Sequence, residues 1–146
     1  MTPPNTTIKG AGNEATILIV DDIAANCNLL RETLEPRGYE VLFAHSGETA
    51  LKLAFQARPD LILLDVMMPG WTGFETCRRL KQNETTRTIP VVFITALGET
   101  KSMVEGFQAG GVDYITKPFQ AEEVLIRVKT HLEAARLTKV VLDKNQ

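Results

Sequence analysis

The chain has 146 residues, 44% of them hydrophobic, and a formal net charge of −2 from 16 basic and 18 acidic side chains. That length suits one domain. The apolar content excludes a disordered chain, and the near balance of charge excludes a global pull toward nucleic acid or an anionic membrane. Uninterrupted apolar stretches run only a few residues, against about 20 for a membrane-spanning helix. No charged-then-apolar leader pattern opens the chain. Cys27 and Cys77 lack metal-ligand spacing and read as reduced, semi-buried thiols of a cytosolic protein.

Residues 1–15, rich in Pro, Gly, Asn and Thr, read as a flexible leader. Gly10-Ala11-Gly12 within it mimics a dinucleotide-binding loop. That motif must follow a strand and open a helix, and here it precedes the first strand. Apolar runs then recur at Thr16–Val20, Tyr39–Ala44, Leu61–Val66, Val91–Thr95 and Val112–Thr116, each with the length and Val/Ile/Leu content of a strand buried on both faces. Between and after them lie stretches of helical period. Their apolar faces are Cys27, Leu30 and Leu34; Ala50, Leu53, Ala54 and Ala57; Phe74, Cys77 and Leu80; and Leu125, Val128, Leu132 and Ala135. Ser46 is placed as an N-cap, Thr72-x-x-Glu75 has capping-box spacing, and Gly38 ends the first helix. A fourth helix, Thr100–Ala109, carries Gly106, which costs about 1 kcal/mol against alanine inside a helix. Strand and helix alternate five times. This predicts an α/β fold: a doubly wound, five-stranded parallel sheet with helices on both faces.

In such a sheet, ligands bind beyond the carboxyl ends of the strands. The residues delivered there are Asp21 and Asp22 after the first strand, Asp65 after the third, Thr95 after the fourth and Lys117 after the fifth. Three carboxylates emerging from apolar runs repel one another. A hard divalent cation relieves that repulsion, and an oxygen-only ligand set favours Mg2+. Lys117 suits a phosphoryl oxygen as a point charge, and Thr95 offers a hydroxyl donor to the same group. Asp65, alone on its strand and opposite the acidic pair, is the candidate nucleophile for an aspartyl phosphate.

The chain resembles the receiver domain of two-component response regulators. The resemblance rests on Ile17-Leu18-Ile19-Val20-Asp21-Asp22, on Asp60 through Asp65 continuing Val66-Met67-Met68-Pro69-Gly70, on Pro90 through Thr95-Ala96, on Gly110, and on Asp113-Tyr114-Ile115-Thr116-Lys117-Pro118-Phe119. It spans about residues 16–136 and implies a flavodoxin-like receiver fold. It further implies a phosphorelay function in which Asp65 accepts a phosphoryl group from the phosphohistidine of a histidine kinase or a phosphotransfer protein. By the same resemblance, Asp22, Asp65 and the backbone carbonyl of Met67 bind Mg2+ directly, and Asp21 acts partly through water. Thr95 and Tyr114 are then the conformational switch pair, Lys117 contacts the phosphoryl group, and the Lys117–Pro118 bond is cis.

Two other classes compete. A degenerate receiver, acting as a phosphorylation-independent interaction module, normally lacks some of the acidic or lysine residues; all stand here. A Mg2+-dependent aspartyl-phosphate phosphatase needs a second acid beside the nucleophile, and Met67 stands two positions after Asp65. His45 and His131 read as surface histidines, and Trp71 as a loop aromatic of undecided role. Residues 137–146 read as a C-terminal helix extension or linker. The apolar spacing continues to Leu142, so the helix is expected either to join two chains or to lead into a downstream effector domain.

Overall fold

A computed structural model describes residues 15–96 and 101–144; of 101–102 and 139–144 it describes the backbone. The predicted leader 1–15 falls outside these residues except for Ala15, as do Thr100 and residues 145–146. In chain order the elements are β1 (Thr16–Val20), α1 (Ala24–Leu34), β2 (Glu40–Ala44), α2 (Gly47–Ala57), β3 (Leu61–Asp65), α3 (Gly73–Gln82), β4 (Val91–Ala96), α4 (Lys101–Ala109), β5 (Asp113–Lys117) and α5 (Ala121–Lys144). A short 3₁₀ turn at Glu35–Arg37, with Pro36 near its start, tightens the end of α1.

All strand pairs are parallel, in the order β2-β1-β3-β4-β5. This is the flavodoxin-like doubly wound order. Alternation along each strand sorts the core into two layers. Leu18, Val20, Ile62, Leu64, Val91 and Phe93 pack against α2, α3 and α4. Ile17, Ile19, Leu61, Leu63, Val92 and Ile94 pack against α1 and α5. Both sets are almost fully buried, which is why these strands read as continuous apolar runs rather than alternating ones.

The caps follow the sequence. Ser46 Oγ accepts from Thr49 N at 3.2 Å and Thr72 Oγ1 from Glu75 N at 3.2 Å. The Glu75 carboxylate pairs with Arg78 and Arg79. The predicted helix faces pack inward, with Leu53, Leu125, Leu132 and Ala135 partly buried and with two adjustments. Ala57 lies exposed at the end of α2, and Val124, one turn before Val128, joins the sheet-facing side of α5. Among the described residues, no helix is long and apolar enough to cross a membrane.

Leu63 sits on the central strand with no exposed surface. Leu63→Ala is expected to cost about 2–5 kcal/mol through lost burial and a residual cavity. Loss of the cap in Ser46→Ala should cost only about 1 kcal/mol. Urea unfolding midpoints of the two variants check this ordering.

Candidate functional site

Strand phase decides which polar groups meet. Asp65 continues the Leu61 and Leu63 face of β3, Asp21 the Ile17 and Ile19 face of β1, and Lys117 the Ile115 face of β5. The three therefore arrive on one side of the strand ends. Lys117 Nζ lies 3.4 Å from Asp65 Oδ1 and 3.7 Å from Asp21 Oδ2, bridging two carboxylates that are each almost fully buried. Asp22 is exposed and brings a third carboxylate: single oxygens of Asp21, Asp22 and Asp65 lie within 4.8 Å of one another. The Lys117–Pro118 bond is cis.

Burial, then the charge of Asp21, push the pKa of Asp65 up to about 6, while Lys117 and the Met67 amide pull it down. The Met67 N–H donates to Asp65 Oδ1 at 3.4 Å. Close packing holds this strand end in place. A side chain on Gly73, at the start of α3, would meet Val66 Cα at 2.8 Å.

Asp21 is the most heavily tethered member of the site. Its Oδ1 accepts from Ile23 N at 2.9 Å and its Oδ2 from Asn26 Nδ2 at 3.1 Å. Its backbone carbonyl meets His45 Nδ1 at 3.0 Å and Cys27 Sγ at 3.5 Å. A carbonyl only accepts, so His45 carries its proton on Nδ1. His45, read from the sequence as a surface histidine, is exposed and is also a supporting residue of this edge. Burial and the neighbouring carboxylates push the Cys27 thiol up to about 11, so it stays a neutral donor. Neither Asn26 nor His45 stands out in the sequence, since each acts through a hydrogen bond that exists only after folding.

Thr95 lies in phase with Val91 and Phe93, on the opposite face from Asp65. It is 2% exposed, and its Oγ1 is a buried hydroxyl without a hydrogen-bond partner among the described residues. In a buried polar atom this is costly. Tyr114, its expected companion, sits inside the protein. The ring packs on Phe93 and Phe107 at centroid distances of 5.5 and 5.3 Å, and Oη donates to the Met103 carbonyl of α4 at 2.8 Å. The ring is 6% exposed. Trp71 takes the Arg79 guanidinium on its ring face at 4.1 Å. His131 is half-buried, with its Nε2 2.8 Å from Asp113 Oδ2, which also pairs with Arg127 at 2.7 Å.

The response regulator receiver domain family matches residues 17–129. Response regulator PleD of Caulobacter vibrioides is 49% identical over 116 residues, covering 80% of this chain and 26% of that protein. The phosphate regulon transcriptional regulatory protein PhoB of Pseudomonas aeruginosa is 45% identical over 117 residues, covering 80% of this chain and 51% of its own length. The solved structure of Vibrio cholerae chemotaxis protein CheY4 superposes with a TM-score of 0.76 at 32% identity, covering 80% of this chain and 98% of that one. The chain thus spans from about a quarter to about half the length of these two curated relatives.

Asp65 is more basic in the folded chain than in the unfolded one. Its contribution to stability is fully present when it is protonated, below its ordinary pKa near 4. That contribution is lost as pH rises through about 6. In chelator, Asp65→Asn is therefore expected to raise stability by about 1–3 kcal/mol at neutral to mildly alkaline pH. The gain should shrink toward zero near pH 4. Urea midpoints of both proteins across that range check the sign; a gain that grows on acidification would contradict it.

Proposed function

Because the chain belongs to the response regulator receiver family, we propose that Asp65 is the phosphoacceptor of a two-component phosphorelay, with a histidine kinase or a phosphotransfer protein as donor. The observation that carries this reading is Lys117 Nζ set 3.4 Å from Asp65 at a strand-end cluster of three carboxylates. At neutral pH Asp65 is mostly ionised, as a nucleophile must be. An Asp65 oxygen attacks phosphorus, the P–N bond to the donor imidazole breaks with its electron pair left on nitrogen, and the imidazole takes a proton from solvent. Lys117 then moves from carboxylate to phosphoryl oxygen, which keeps its charge paired throughout. A degenerate receiver would lack part of this set. A phosphatase would need a second acid beside Asp65, where Met67 stands.

The donor set suits Mg2+: three carboxylates, all hard oxygen ligands, close enough for one ion. Asp22 and Asp65, with the Met67 carbonyl, would hold it directly. Asp21, whose two carboxylate oxygens already take Ile23 N and Asn26, would act through water. Bound there, Mg2+ supplies charge neutralisation for the crowded carboxylates and the phosphoryl group. Thr95 and Tyr114 form the proposed switch pair. The Thr95 hydroxyl, without a partner among the described residues, gains a phosphoryl acceptor, and the inward Tyr114 ring is the conformation this selects. Output would pass to a partner or a downstream effector domain through residues 137–146. The seam positions Leu125, Val128 and Leu132 are already used against the sheet, so joining a second chain through α5 would draw on Ala135 and beyond.

Incubation with acetyl phosphate and Mg2+ is expected to give a single hydroxylamine-labile phosphoryl adduct in the wild type and none in Asp65→Asn. Acid-stable phosphate, or undiminished labelling of the variant, would contradict the assignment.

Saturating Mg2+ at about 100 times its Kd should stabilise the folded chain by about 2.7 kcal/mol. Asp22→Ala should remove that effect. Melting temperatures with and without the metal check both statements.

A further inference from the structure

Gly106 lies inside α4, where a glycine weakens the helix by about 1 kcal/mol relative to alanine. The structure shows what occupies the space of the missing side chain. A methyl group at 106 would overlap Tyr114 Oη, lie 2.6 Å from Tyr114 Cζ and come within 3.1 Å of Phe74 Cε1. The Tyr114 hydroxyl reaches past this point to the Met103 carbonyl, three residues earlier on the same helix. The ring, the hydroxyl and the α4 backbone therefore share one volume, and only a residue without Cβ leaves it open.

We propose that Gly106 is the socket of the switch: its bare backbone is what allows Tyr114 to sit inward against α4. A side chain at 106 excludes that conformation and biases the protein against the phosphorylated state, with no contact to Asp65, Lys117 or the acidic pair. The functional half of this proposal rests on the phosphoacceptor reading above; the steric half stands alone. By reciprocity, a change that removes the conformation a ligand selects must also weaken that ligand.

The test is a cycle of four proteins: wild type, Gly106→Ala, Tyr114→Ala and the double variant. In the wild-type background, Gly106→Ala is expected to lower the melting temperature. In the Tyr114→Ala background the same change is expected to raise it, since helix propensity then acts unopposed. Equal shifts in both backgrounds would overturn the socket. A second readout uses the two tyrosines of the chain, Tyr39 and Tyr114, labelled as fluorotyrosine and followed by fluorine NMR. In Gly106→Ala the Tyr114 signal should move to a solvent-exposed position while the Tyr39 signal stays. Beryllofluoride with Mg2+ should bind that variant at least about five-fold more weakly. A Tyr114 signal unmoved in the folded variant, or unchanged beryllofluoride binding, would contradict the proposal. If the wild type itself binds no beryllofluoride, the phosphoacceptor reading fails, and the melting cycle and Tyr114 signal still decide the socket.

Discussion

The ammonium of Lys117, suspended between Asp65 and Asp21, is the contact on which the site depends. Two carboxylates, each nearly free of solvent exposure, face one another at the ends of β3 and β1. Burial and the charge of Asp21 both oppose the ionisation of Asp65. The lysine offsets only part of this, and Asp65 remains well above the ordinary carboxylate range. The fold creates the conflict. Buried parallel strands β1, β3 and β5 end together, and side chains in phase with Ile19, Leu63 and Ile115 have nowhere else to point. What such a cluster would gain from a divalent cation is relief of a repulsion that packing imposes.

Around that conflict the structure divides its labour between the two faces of the sheet. Asp21, Asp65 and Lys117 share the side of the sheet packed by α1 and α5. Thr95 and Tyr114 share the layer packed by α2, α3 and α4. Within the sheet, β4 ties the Asp65 strand to the layer under α4: Asp65 pairs with Ile94, and Thr95 beside it carries a hydroxyl without a hydrogen-bond partner among the described residues. Surface pairs add a second tie: Arg78 joins Glu75 of α3 to Glu105 of α4, the latter at 2.8 Å. Such exposed pairs contribute little stability.

Much of this was legible in the sequence, for a physical reason. Strands buried on both faces are unbroken apolar runs, so a charge at the end of one, such as Asp65 after Leu61–Leu64, stands out against its surroundings. Element order then fixed which edge those charges share. What stayed hidden depends on contacts between distant segments. Asn26 and His45 look like ordinary surface polar residues until Asp21 is placed beside them. Gly106 reads only as a cost to α4 until the Tyr114 hydroxyl is seen in its space. Asp113 lies on a different element from Arg127 and His131 and meets them only when α5 docks on β5.

The most direct measurement is chemical mapping of the phosphoryl linkage. After treatment with a small phosphodonor and Mg2+, borohydride reduces an aspartyl phosphate to homoserine, which peptide mass spectrometry assigns to one position. Homoserine at residue 65 alone is the expected result. Reduction at Asp21 or Asp22, or a phosphorylated chain with no reducible position, would contradict Asp65 as the acceptor.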